Sequence, residues 1–210
     1  PTLTNLDICR TVVELYICPS DPSEKTLTGG NNVVYPNWCW EASTACSQSG
    51  IAITTYKGIN GRTFDATAAS VPVPQAMYDR RMGYLRQPTD RPYNRIMQMK
   101  DVLDGTSNTL IVGEISPAWQ AWGFWAGWHS PITTAYPINY LRNVYHSREA
   151  RIAATHGWPQ GFSASSFHPG GAQFLMVDAS VHFISETVNF TEYQQLADPD
   201  DGLPVGGFNY

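Results

Sequence analysis

The feature that most constrains this chain is a pair of short β-type runs, Gln173-Phe174-Leu175-Met176-Val177 and Ser180-Val181-His182-Phe183-Ile184, separated only by Asp178-Ala179. Two runs so close together have little choice but to fold back on each other as an antiparallel hairpin. With Asp178-Ala179 as a two-residue turn, Met176 faces Val181 and Phe174 faces Phe183 on an apolar side. Leu175 with His182 and Val177 with Ser180 then make up a mixed, half-exposed side. Just beyond, Asn189-Phe190-Thr191-Glu192 reads as an N-cap with glutamate at the third helical position, and Tyr193 and Leu196 share one helical face. This pattern predicts a short helix over about Phe190 to Ala197, ended by Asp198-Pro199-Asp200-Asp201-Gly202.

Upstream the elements are shorter. Thr109 to Ile115 reads as a strand, and Ile51 to Tyr56 as a short β-type run. Residues 1–70 hold all four cysteines and the Gly29-Gly30-Asn31-Asn32 turn, a loop-rich lobe and not a separate domain. A stretch rich in Pro and Arg follows from Val71 to Arg95, and residues 95–210 carry the sheet core and the C-terminal helix. The expectation is one α+β domain over 1–210, with an antiparallel sheet, short helices and a cysteine-bearing lobe.

Charge narrows the partners. Thirteen basic against eighteen acidic residues leave a net charge of −5, so no basic field exists to neutralise a phosphate backbone, and nucleic acid is not expected. Lysine occurs only at Lys25, Lys57 and Lys100, while aromatic residues make up 12%, a balance suited to packing against copies of the same chain. No run of about 18 apolar residues is present, so no membrane span is expected within the chain. Pro1-Thr2-Leu3-Thr4 has neither the basic nor the apolar part of a signal peptide. Cys9, Cys18, Cys39 and Cys46 lack zinc-ribbon spacing and read as two disulfides formed in an oxidising compartment, with three pairings open.

Candidate chemistry is sparse. His168 and Asp178 lie at the two ends of a predicted strand, and about 3.3 Å per residue keeps them apart, so structural roles are expected: a loop cap for His168, an Asx turn for Asp178. Asp104-Gly105-Thr106-Ser107-Asn108 is dense in residues that hydrogen bond their own backbone and lacks the lysine of a phosphate loop. His129, His146, His156 and His182 show no ligand spacing, and no nucleophile elbow or His-Glu-x-x-His occurs. Asp198, Asp200 and Asp201 beside Gly202 offer hard oxygen ligands of the kind calcium takes; no other cofactor is expected. Trp119, Trp122, Trp125 and Trp128 recur every third residue, but Pro117, Gly123, Gly127 and Pro131 argue against a helix through them. With Trp38, Trp40 and Trp158 they read as core or subunit contacts, or else as flat faces for a polysaccharide.

Three segments together resemble a bacterial family. Cys18-Pro19-Ser20-Asp21-Pro22 looks like its CPSDP element, and Asp104-Gly105-Thr106-Ser107-Asn108-Thr109-Leu110-Ile111-Val112-Gly113-Glu114 like its DGTSNTLLVGE element. Phe167-His168-Pro169-Gly170-Gly171-Ala172-Gln173-Phe174-Leu175-Met176-Val177-Asp178 is similar to its HPGGANFLFADG signature. The family is the prepilin-type, His-x9-Asp-Gly domain family, abundant in planctomycetes. The resemblance implies an exported type IV pilin-like or pseudopilin-like protein, in which Cys18, Asp104, Gly105, Asn108, His168, Gly170, Gly171 and Asp178 define turns and strands. Members usually open with a prepilin cleavage site and an apolar helix of about 20 residues, which this chain does not contain. Ala179 stands where the family has glycine, so either the turn type differs or contacts hold a strained one. The function expected is a structural subunit of an extracellular or periplasmic filament, tube or secretion-type assembly with copies of itself or related subunits, and not an enzyme. The alternative is a cell-surface carbohydrate-binding module on a pilin-like scaffold.

Overall fold

The C-terminal hairpin forms, but one residue out of the expected register. In the computed structural model, which describes residues 5–27, 50–61, 98–120, 123–125, 132–147, 150 and 162–203, β5 (Gly171–Met176) pairs antiparallel with β6 (Val181–Ser185). Phe174 lies opposite His182 and Leu175 opposite Val181. The turn is three residues long: Ala179 N–H donates to Met176 O at 3.1 Å, and Met176 N–H donates to Ser180 O at 2.9 Å. A turn followed by one left-handed residue is the usual three-residue solution, and Ala179 supplies that residue at φ 70°. A one-residue slip moves every side chain of β6 to the other face. Ala172, Phe174, Met176 and Ile184 therefore enter the core, while Val181 and Phe183, expected inside, face out.

The helix at the end of the chain forms as its cap dictates. In α3 (Phe190–Gln195), Asn189 Oδ1 accepts from the backbone N–H of Thr191 and Glu192, and Tyr193 and Leu196 are fully buried. Tyr193 meets Phe174 edge to face at 5.8 Å, which fixes α3 against the sheet. Burial holds the Tyr193 phenol well above its ordinary range.

The sheet has four antiparallel strands in the order β3 (Tyr56–Gly58), β4 (Leu110–Glu114), β5, β6. Its first strand thus comes from the cysteine-bearing lobe, so the core is not confined to residues 95–210. The run from Ile51 to Tyr56 is divided: β2 (Ile51–Ala52) pairs instead with β1 (Thr26–Leu27) in a separate two-stranded ribbon. Among the described residues two further short helices, α1 (Asn5–Arg10) and α2 (Tyr140–Tyr145), give the fold its α+β character. No helix among the described residues is long and apolar enough to cross a membrane.

A bulge at Ile111 decides which way the end of β4 faces. Leu110 lies opposite Met176, and the register then shifts so that Val112 meets Leu175 and Gly113 meets Phe174. Gly113 turns into the core, where a Cβ would stand 2.7 Å from the Phe174 ring and 2.9 Å from Ile132 Cδ1. Only glycine allows that approach. Glu114, the next residue, necessarily points to the opposite face of the sheet.

The strained turn makes a simple prediction. Replacing Ala179 with glycine removes the cost of a left-handed alanine and adds some unfolded-state entropy, so A179G should stabilise the fold by about 0.5–1 kcal/mol. Urea unfolding checks this, and an unchanged or lower midpoint would contradict it.

Candidate functional site

The face opposite the core is covered at one end by two loops that carry Cys18 and His168. The chain reaches Cys18 through a short 3-10 turn, Glu14–Tyr16, and is docked on the residues that precede β3. Thr55 N–H donates to Tyr16 O at 2.7 Å, and Cys18 N–H donates to Thr55 Oγ1 at 2.6 Å. Pro19 then presets a turn closed by Asp21 N–H to Cys18 O at 3.0 Å, and Asp21 Oδ1 accepts from Ser23 N–H at 2.8 Å. The Cys18-Pro19-Ser20-Asp21-Pro22 segment is thus a rigid turn that presents a buried sulfur.

The loop bearing His168 is pinned from α2. Asn139, left-handed at φ 59° and fully buried, accepts from Ser166 N–H at 2.8 Å and donates to Glu186 Oε2 at 2.7 Å. Arg142 donates to the carbonyls of Ser166 at 2.9 Å and His168 at 3.3 Å. Ser166 Oγ donates to Gly171 O at 2.6 Å and accepts from His168 N–H at 3.0 Å. A Cβ on Gly171 would collide with the Ile184 carbonyl, so glycine is required where the loop enters β5.

These supports bring three side chains to one point. His168 Nε2 lies 3.2 Å from Glu114 Oε1 and 3.5 Å from Cys18 Sγ. The Glu114 side chain is 2% exposed and the His168 ring 27%. Glu114 Oε2 accepts the backbone N–H of Gln173 at 2.6 Å, which aims Oε1 at the ring. Tyr56 lies opposite Glu114 in the β3–β4 pair, on the side of the sheet where Cys18 is docked. Burial first, and then the neighbouring Cys18 and Glu114, push the Tyr56 phenol up to about 12, so it stays protonated. Each of the three segments singled out in the sequence contributes one of these atoms.

A nucleophile–base–acid relay needs the imidazole to use its two nitrogens in opposite directions. Here a single nitrogen, Nε2, faces both the thiol and the carboxylate. The arrangement is a convergence of three donors, not a relay.

The other sequence-derived residues go elsewhere. Asp178 lies beyond the far end of β5 from His168 and closes the hairpin turn: its Oδ1 accepts from Ser180 N–H at 2.8 Å and from Ser180 Oγ at 2.6 Å. Those bonds lower its pKa below the ordinary carboxylate value. His168 is not the loop cap expected of it, since Ser166 and Arg142 do that work and leave its ring to the junction. Gly105 O accepts from Asn108 N–H and Thr109 Oγ1, and Asn108 Nδ2 donates to Asp104 O. Asp104 reaches across to the chain end, accepting from Asp201 N–H at 2.8 Å and Gly202 N–H at 3.0 Å.

Asp198 is buried, Asp200 exposed and Asp201 engaged with Leu203 N–H at 2.8 Å. Their carboxylates do not converge as a calcium site would need. Among the described residues the group of His, Cys and carboxylate atoms that does converge, all within 4.8 Å of one another, is Cys18, Glu114 and His168. Cys9 and Cys18 are free thiols, so the expected cross-links are not found at these two positions; Cys18 turns its sulfur to His168. Cys39 and Cys46 lie outside the described residues. Trp119 is buried in a second small core with Ala118 and Leu141, its ring 6.5 Å from Phe167. Trp125 donates its indole N–H to Thr11 O at 3.0 Å and packs on Tyr16 at 6.2 Å. Trp119 is therefore a core residue and Trp125 a half-buried contact, while Trp122 and Trp128 lie outside the described residues.

Glu114, Tyr56, Asn139 and Arg142 were not anticipated as site residues. Glu114 left one trace, a carboxylate ending an otherwise apolar strand.

The chain belongs to the family described as a protein of unknown function (DUF1559), whose model matches residues 2–191. No curated protein and no solved structure matches it.

On the core side of β3, Lys57 donates to Phe124 O at 2.7 Å with its Nζ 5.9 Å from the Phe124 ring. Burial pulls its ammonium down to about 7. Between that value and the unfolded value of 10.5 the unfolded chain binds more protons, so stability must rise with pH across this window. From about pH 7 to about pH 9 we expect a gain of about 1–3 kcal/mol in urea unfolding. Lys57→Met should remove that rise; a rise that persists in the variant would assign it to another group.

Proposed function

We propose that the chain is a pilin-like or pseudopilin-like structural subunit of an extracellular or periplasmic assembly, and not an enzyme. The observation that carries this reading is the outer side of β6. Among the described residues this strand is the edge of the sheet, and on it Val181 is 63% and Phe183 41% exposed. Edge strands of proteins that stay monomeric are usually guarded by charge, proline or a covering element. Val181–Ser185 contains no lysine, aspartate, glutamate or proline. An apolar edge of this kind suits a neighbouring copy of the chain or a related subunit.

Three further features support the reading. Membership of the DUF1559 family is compatible with the closer resemblance to the prepilin-type, His-x9-Asp-Gly proteins. A four-stranded antiparallel sheet with short helices is the globular part such a subunit requires. The single imidazole nitrogen shared between Cys18 and Glu114 offers no relay for nucleophilic catalysis. The carbohydrate-binding alternative is weakened because Trp119 is buried in the second small core.

Sedimentation and electron microscopy of the native material test the proposal. The unaltered protein should form ordered filaments or tubes, and V181D combined with F183D should remain dispersed with an unchanged circular dichroism spectrum. Dispersed monomers of the unaltered protein, or assembly by the double variant equal to it, would refute the reading.

A further inference from the structure

We propose that Cys18, Glu114 and His168 form a binding site for a divalent transition metal that accepts thiolate ligands, zinc being the best fit. The site uses none of the residues of the proposed assembly surface on β6 and does not depend on the proposal made for it.

Spacing is the first reason. Four donors placed about 2.0–2.3 Å from a tetrahedral zinc ion stand about 3.3–3.8 Å from one another. The ring nitrogen lies 3.5 Å from the sulfur and 3.2 Å from the carboxylate oxygen, which matches two edges of such a tetrahedron, and all three donor atoms lie within 4.8 Å of one another. Hydrogen bonding accounts for the junction less well, because one Nε2 proton serves only one of the two atoms that face it. An ion at the centre of the three atoms takes a lone pair from each.

Burial is the second reason. A carboxylate 2% exposed is costly unless it is paired or bound to a metal, and Glu114 Oε1 is turned to the junction where the His168 ring and the Cys18 sulfur meet it. Its other oxygen is already held by Gln173 N–H, which orients the first. The Cys18 backbone is itself anchored, its N–H donating to Thr55 Oγ1 at 2.6 Å, so the sulfur is presented from a fixed turn.

Donor chemistry decides the class of metal. Sulfur, imidazole and one carboxylate suit zinc and its neighbours, whereas calcium and magnesium take six or more oxygens, or retain water around carboxylates. The His168 ring, 27% exposed, marks the side from which an ion enters and where a fourth ligand, such as water, completes the shell.

Cobalt(II) titration of the reduced full chain tests the site, with cobalt serving as a visible substitute for zinc. The expected result is a thiolate-to-cobalt charge-transfer band with tetrahedral visible bands, saturating at one ion per chain and displaced by zinc. Cys18→Ser should abolish the charge-transfer band, and Cys9→Ser should leave it unchanged. His168→Gln should weaken binding by at least about tenfold, since even outer supports of metal sites cost that much. Glu114→Gln keeps an acceptor for Gln173 N–H, and should weaken binding comparably while leaving the circular dichroism spectrum unaltered. If Cys18→Ser fails to fold, the His168 and Glu114 variants carry the test. Absence of a charge-transfer band in the unaltered protein would overturn the proposal, as would a band of undiminished affinity in both of those variants.

Discussion

The pairing of β4 with β5 at Gly113 and Phe174 is the constraint on which the rest of the structure depends. The missing Cβ lets the Phe174 ring lie against the β4 backbone, and the same ring then receives Tyr193 from α3. The bulge at Ile111 sets the phase of the strand, and that phase sends Gly113 inward and Glu114 outward. Core and candidate site are therefore two sides of one register decision. Displacing β4 by one residue would put a carboxylate into the apolar cluster and take it away from His168.

Much of the fold was legible because it is local. The cap at Asn189 and the spacing of Tyr193 and Leu196 specified α3, and the apolar alternation announced a hairpin. Its register was misjudged because Phe183 and Val181 look like core residues. The turn takes three residues, and nothing in Asp178-Ala179 alone distinguishes a two-residue turn from a three-residue one when alanine occupies the left-handed position. The division of Ile51 to Tyr56 between two sheets was equally hidden, since it depends on distant partners for each half.

The junction of Cys18, Glu114 and His168 was not legible, although two of its members were singled out. An even count of cysteines favours a disulfide at Cys18, and Glu114 looks like no more than the end of a strand. His168 was weighed against Asp178, its neighbour in the motif, which strand geometry keeps away. Pattern spacing reports on residues that share an element; it is silent on loops laid over a sheet from opposite ends of the chain. Asn139 and Arg142 were invisible for the same reason, since their part is to hold a loop more than twenty residues further along.

Cys18 and His168 are 150 residues apart in sequence, and the carboxylate between them comes from the middle of the chain. Contacts of such long range form late, because the entropy of closing large loops is repaid only when the surrounding sheet is in place. A chain arrested part-way therefore carries a loose thiol, a loose carboxylate and a loose imidazole with no common centre. The shielding of a single sulfur becomes a record of whether the three segments that carry Cys18, Glu114 and His168 have all reached the sheet.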